Sequence, residues 1–91
     1  MTSNYLVCYD IRDENRLMQV YKKMKKIGLH IQYSVFHCRL SRDELLELKK
    51  SLNSLIEESA DDIRIYPLPM DMKVMVMGQG DRIPDGITVL L

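Results

Sequence analysis

Five consecutive residues of apolar character, Tyr5-Leu6-Val7-Cys8-Tyr9, lead into Asp10 and then into a polar run, Arg12-Asp13-Glu14-Asn15-Arg16. A strand that is apolar on both parities is a buried one, because a half-exposed strand alternates. The chain is therefore committed from its start to a sheet that buries this strand. Asp10 stands where the strand leaves the sheet. A carboxylate at that lip is half out of water and needs a cation, a donor or a turn amide. Carboxylates that hold Mg²⁺ on a nucleic acid often occupy such a place. The simpler role is to cap the turn into the following helix.

The period then changes. Leu17, Val20, Tyr21, Met24 and Ile27 recur at three- and four-residue steps and predict a helix from about Asp13 to Ile27. Asp13 suits its N-cap and Gly28 its C-terminal stop. From Leu29 to Leu40, Ile31, Tyr33 and Val35 alternate with Gln32 and Ser34, the period of a strand. Periodicity leaves open whether this is one long strand or a tight hairpin turning near Gln32 to Ser34. Ser41 with Glu44 forms a capping box for a second helix with the stripe Leu45, Leu48, Leu52, Leu55 and Ile56. Ile63 to Leu68 predicts a strand stopped by Pro67 and Pro69, and Lys73 to Met77 another ending at Gly78. Gly78 to Arg82 predicts a loop, and Pro84 to Leu91 closes the chain.

This order is βαββαβ with one or two extra short strands, an α+β plan of the ferredoxin-like kind. Right-handed crossovers put both helices on one face of the antiparallel sheet. The other face is then bare, although the strands carry apolar groups on both parities: Val35 against Phe36, Ile65 against Tyr66 and Leu68, Val76 against Met75 and Met77. A symmetric homodimer is the natural cover. Residues 73–91, surplus to the core, are candidates to add strands across such a dimer. In this topology the end of the first strand lies beside the start of the third, so Asp10 approaches Ser34 and Phe36. A two-fold axis nearby would turn one Asp10 into two facing carboxylates, which repel unless a divalent cation sits between them.

Composition narrows the class. The 91 residues make a single domain, and one this small buries only about two-thirds of its unfolded surface. No apolar stretch approaches the ~20 residues that span a bilayer, and Met1-Thr2-Ser3-Asn4 lacks the features of a signal peptide. Cys8 and Cys38 lie in predicted strands without metal-ligand or disulfide spacing, as small buried hydrophobes of a reducing cytoplasm. Thirteen basic and thirteen acidic residues cancel, which excludes a protein that coats nucleic acid by sheer charge. The distribution is uneven, with Arg12, Arg16, Lys22, Lys23, Lys25 and Lys26 forming a basic cluster in the first helical segment. That cluster is either a solvated helix face or a phosphate-binding surface.

Tyr9-Asp10-Ile11 after the apolar strand, Arg16, the segment Gln32-Tyr33-Ser34-Val35-Phe36, and Arg64-Ile65-Tyr66 before Leu68 occur in that order. Together they resemble the small CRISPR-associated endoribonuclease family, the smaller of the two spacer-adaptation proteins. The resemblance covers nearly the whole chain and ends on an apolar strand before Gly78. It implies a ferredoxin-like homodimer with C-terminal strands exchanged across the interface. It also implies a Mg²⁺ site built from Asp10 of both subunits, with Tyr9, Ser34 and Phe36 as site neighbours. The implied function is CRISPR adaptation in the cytoplasm, with metal-dependent cleavage of RNA or double-stranded DNA. Arg12, Arg16 and the lysines would be phosphate contacts, and the larger CRISPR-associated integrase a partner. The alternative is a non-catalytic bridge that holds DNA for that integrase. Two positions depart from the family pattern: His30 stands where Arg is common, and His37 where an acidic residue is common.

The two histidines are seven residues apart, on opposite faces of a strand, so they are not expected to share a metal. Each reads as a strand-end surface residue. The seven methionines read as packing. Tyr9 and Phe36 serve the core as readily as a site. Ser34 has no candidate base, so it is no hydrolase nucleophile. A toxin-type ribonuclease of similar fold is a weaker alternative, and a small-ligand module is disfavoured by the lack of a Gly-rich phosphate loop.

Overall fold

The computed structural model describes residues 1–78 and 88–90. The elements are β1 (Thr2–Asp10), α1 (Glu14–Ile27), β2 (Gly28–Gln32), β3 (Val35–Ser41), α2 (Arg42–Leu55), β4 (Asp62–Pro67), β5 (Lys73–Met75) and β6 (Thr88–Leu90). Four of them form one antiparallel sheet in the order β2-β3-β1-β4. This is the ferredoxin-like arrangement expected from the pattern of periods.

Local chemistry sets the helix ends. The Asp13 side chain accepts from the Arg16 amide and starts α1. Ser41 and Glu44 form the reciprocal capping box of α2, with Glu44 Oε1 accepting from the Ser41 amide at 2.8 Å and Ser41 Oγ from the Glu44 amide at 3.2 Å. Gly28 ends α1, but not in the left-handed conformation usual for a stopping glycine. Its φ of −141° is ordinary extended backbone that already belongs to β2. What it supplies is room, because an added Cβ would lie 2.8 Å from both Cys38 Sγ and the His37 carbonyl oxygen.

Residues 29–40 form a hairpin rather than one strand. The turn needs no glycine, because Tyr33 takes the positive φ of 42° itself. The register also shifts between His30 and Gln32, a bulge that lets β2 and β3 close tightly. β1 begins at Thr2 rather than Tyr5, because its first residues pair with the far end of β3, Thr2 opposite Ser41. The strand predicted over 73–77 is shorter, Lys73–Met75, and pairs in parallel with β6. Of the expected loop at 78–82, only Gly78 lies within the described residues. Of the closing segment from Pro84, residues 88–90 are described.

The pairing register sorts side chains between two faces. On one face, Val7, Tyr9, Phe36, Cys38 and Leu40 meet Val20 and Met24 of α1 and Leu48 and Leu52 of α2, all under one-tenth exposed. The open face carries Leu6, Cys8, Val35 and His37, with Asp10, Arg39, Asp62, Arg64 and Tyr66 exposed around them. The expectation that both cysteines are buried holds for Cys38 alone; Cys8 is half-buried because its parity turns it to the open face. His37 is likewise no strand-end surface residue. It is only 6% exposed in the middle of β3, with its Nε2 against Asn4 Oδ1 at 3.1 Å. Burial and the Arg39 charge hold its imidazole below its ordinary pKa.

Candidate functional site

Asp10 is the last residue of β1, and the next residue, Ile11, is buried again as an anchor for the turn into α1. Its backbone pairs with Asp62 of β4. Directly opposed residues of an antiparallel pair share a face, so two carboxylates stand side by side at the edge of the open face. They differ in their neutralisation. Asp62 Oδ2 accepts from Arg64 Nε at 3.0 Å, whereas Asp10 is exposed and has no hydrogen bond or ion pair to its side chain among the described residues. Asp10 is therefore not the cap of the following helix; Asp13 performs that role.

The segment behind Asp10 is held by a residue the sequence did not single out. The Asp61 side chain is wholly shielded and accepts from four N–H groups. Arg16 donates through Nε at 2.8 Å and Nη2 at 3.1 Å, the Arg12 amide donates at 3.0 Å, and the Glu57 amide at 2.8 Å. Two amides and a forked guanidinium match the lone pairs of one carboxylate. With the Arg16 guanidinium as the leading cause, the Asp61 carboxyl is held well below the usual carboxylate range. This latch ties the β1–α1 turn, two residues past Asp10, to the α2–β4 loop. The available signal was the pair Asp61-Asp62 at the start of a strand, where only one of two adjacent carboxylates can point outward.

The remaining candidates divide by distance along the fold. The Tyr9 amide donates to the Ser34 carbonyl at 3.1 Å, so the hairpin turn and Asp10 lie at the same end of the sheet. The rings of Tyr9 and Phe36 stack at a centroid separation of 6.2 Å, but on the helix side, opposite in parity to Asp10. Phe36 pairs with Val7, three residues before Asp10. Its expected place next to Asp10 is thus corrected: it supports the strand from the core, because β3 starts only at Val35. Arg12 is exposed beside the lip, while Arg16 is committed to Asp61. Lys22, Lys23, Lys25 and Lys26 sit in the second half of α1, and at 1.5 Å per residue Lys25 is about 18 Å along the axis from Asp13. They do not join Asp10 within one chain. Lys23 and Lys26 instead line a groove of about 450 Å³ with Arg39, Asp43, Glu44 and Glu47, and Lys25 Nζ lies 5.4 Å from the Tyr21 ring centre.

A single chain brings no group of three or more His, Cys, Asp or Glu side chains together as a metal site among the described residues. The donor set at the lip suits Mg²⁺ in its usual mode, which takes one or two carboxylates and completes its shell with water and phosphate oxygens. No helix among the described residues is long and apolar enough to cross a membrane.

Comparison with known proteins agrees with this fold. The model of the family described as CRISPR associated protein Cas2 matches residues 3–76. A CRISPR-associated endoribonuclease Cas2 from Thermodesulfovibrio yellowstonii is 59% identical over 85 residues, covering 93% of each chain. Among solved structures, a hypothetical protein from Thermus thermophilus superposes with a TM-score of 0.80 at 34% identity, over 88% of this chain and 95% of that one. Streptococcus pyogenes Cas2, crystallised at pH 6.5, superposes with a TM-score of 0.68 at 35% identity, over 72% of this chain and 86% of that one. The β1 lip with Asp10, the Gln32–Phe36 hairpin and the sheet order all fall inside the matched region, and the chain belongs to the CRISPR associated protein Cas2 family.

Proposed function

We propose that this protein is a nuclease subunit of CRISPR adaptation that cleaves phosphodiester bonds in RNA or double-stranded DNA, with Asp10 as its metal-holding catalytic residue. The observation that carries this reading is the asymmetry at the lip. Of two facing carboxylates, Asp62 has its own arginine and Asp10 has no ion-pair or hydrogen-bond partner among the described residues. A carboxylate left in that state is suited to a divalent ion. The endoribonuclease name of the Thermodesulfovibrio relative supports the same chemistry. A second copy of the chain, docked through the open face, would bring a second Asp10 to the same ion and cover Leu6, Val35 and Tyr66. Bound Mg²⁺ would activate water and stabilise charge on a scissile phosphate. The chain itself would orient the phosphate with Arg12, keep Asp10 fixed through the Asp61 latch, and exclude water from beneath with Tyr9 and Phe36. The larger CRISPR-associated integrase would be the partner that receives the captured nucleic acid.

The test is cleavage of RNA and of duplex DNA by purified protein with Mg²⁺ and with EDTA, repeated with Asp10→Ala and Asp10→Asn. Loss of cleavage by about a hundredfold or more, with unchanged thermal stability, is expected for both variants. Cleavage that survives in Asp10→Ala refutes the assignment. The second reading is a non-catalytic bridge that holds DNA for the larger integrase. It predicts tight duplex binding without cleavage under any metal.

A further inference from the structure

Tyr33 is 89% exposed, and it sits at the one non-glycine position with positive φ among the described residues. Asn or Gly makes such a turn more easily, and a large ring left in water contributes nothing to the core. The fold nevertheless holds the residue firmly. His30 Nε2 lies 2.5 Å from the Tyr33 carbonyl oxygen, and since a carbonyl only accepts, the imidazole donates. The His30 ring is itself fixed, stacked on Phe36 at 4.7 Å and edge-on to Tyr21 at 5.6 Å. Phe36 is fully buried, so the turn is clamped to the core through two rings. The next residue, Ser34, accepts from the Tyr9 amide, which puts Tyr33 at the same end of the sheet as Asp10.

A strained, clamped and solvent-facing aromatic at the same end of the sheet as the proposed metal-holding carboxylate is suited to one kind of ligand. We infer that Tyr33 is a platform on which an unpaired nucleobase stacks, placing the adjoining phosphate at Asp10. This rests on the nucleic-acid reading above and adds a preference to it. A base can present its flat face to Tyr33 only when it has left a duplex stack, so the platform favours single-stranded substrate or a frayed end. Arg12, exposed in the turn two residues past Asp10, would neutralise the backbone of either form. His30 acts here as the clamp of the platform.

The test compares fluorescence anisotropy of the full chain with a labelled single-stranded RNA and with a duplex DNA of equal length, in EDTA to prevent cleavage. Tyr33→Asn keeps the left-handed turn and removes the ring; Tyr33→Phe keeps the ring and removes the hydroxyl. Tyr33→Asn is expected to weaken single-strand binding about tenfold while leaving duplex binding and thermal stability unchanged. Tyr33→Phe is expected to bind like the wild type. A 2-aminopurine in the strand should be quenched by the wild type and Tyr33→Phe but not by Tyr33→Asn. Undiminished single-strand binding by Tyr33→Asn overturns the inference, as does an equal loss for duplex. Wild-type protein that binds duplex alone overturns the platform and leaves the nucleic-acid reading standing; wild-type protein that binds neither overturns both.

Discussion

Gly28→Ala tests whether the closeness of β2 and β3 is a real constraint on the hairpin that carries Tyr33. The backbone at residue 28 is extended, so alanine meets no conformational penalty there. Space is the constraint. The new Cβ would lie 2.8 Å from Cys38 Sγ and 2.8 Å from the His37 oxygen, against ordinary contacts that begin at 3.4 Å. Cys38 is fully buried and cannot swing away, and the His37 oxygen belongs to the backbone of a strand paired on both sides. Overpacking of this kind costs about 1–3 kcal/mol, and the lower entropy of the unfolded alanine chain returns about 0.4–1. A net loss of about 1–2 kcal/mol corresponds to roughly 5–15 °C in melting temperature for a domain of this size. The assay is thermal unfolding followed by circular dichroism, on Gly28→Ala, Cys38→Ala and the double variant. Removing Sγ relieves one of the two contacts and leaves the His37 oxygen in place, so the double variant should lose less than the sum of the two single losses, a favourable coupling of about 0.5–2 kcal/mol. A Gly28→Ala protein that melts with the wild type, or a double variant whose losses simply add, refutes the steric account.

Two further outcomes follow from titrating groups. Asp61→Asn should lower the melting temperature near neutral pH and reduce cleavage, because the turn beyond Asp10 loses its anchor. The Asp61 carboxyl is depressed in the folded state, so its contribution is present above the ordinary value of 3.8 and is lost as pH falls below it. The wild-type and Asp61→Asn melting temperatures should therefore converge in strong acid; a gap that persists there means the ion pair is not the source. His37 is also depressed in the folded state, so the unfolded chain binds the extra proton first. Stability should fall as pH drops below 6.5 and level off once the folded imidazole is protonated. His37→Gln, which keeps a donor for Asn4, should flatten that slope in melting temperature against pH, and an unchanged slope would assign it to another group.

The helices were legible because their signals are local. Asp13, the Ser41–Glu44 box and the two apolar stripes lie within a few residues of what they act on, and each appears where periodicity put it. The hairpin was not legible for a matching reason. Alternation continues through Gln32 to Val35, and no glycine marks the turn, because the positive φ at Tyr33 is supported by a hydrogen bond from His30, whose ring is set by packing on Phe36 and Tyr21. Strand parity cannot be assigned to a face until the partner strands are known. His37 therefore looked like surface, and Phe36 looked like a neighbour of Asp10.

Asp61 shows the same limit at the candidate site. Three of its four donors come from Arg16 and the Arg12 amide, 45 and 49 residues away in sequence, and nothing within the acidic stretch distinguishes it from Asp62. The fold separates the two by a single step of backbone. Asp61 turns inward to bind four donors, and Asp62 turns outward to face Asp10 with its own arginine. That division has a consequence for Asp10. The cations nearest to it in sequence are Arg12 and Arg16, and the latch removes Arg16 from reach while Arg64 is held by Asp62. Among the described residues Asp10 thus has no ion-pair partner: Arg16 and Arg64 are held by the neighbouring aspartates, and the Arg12 side chain stays exposed beside the lip. On the proposed reading, a divalent ion would balance that carboxylate, and a second copy of the chain, which brings a second Asp10, would sharpen the need for it.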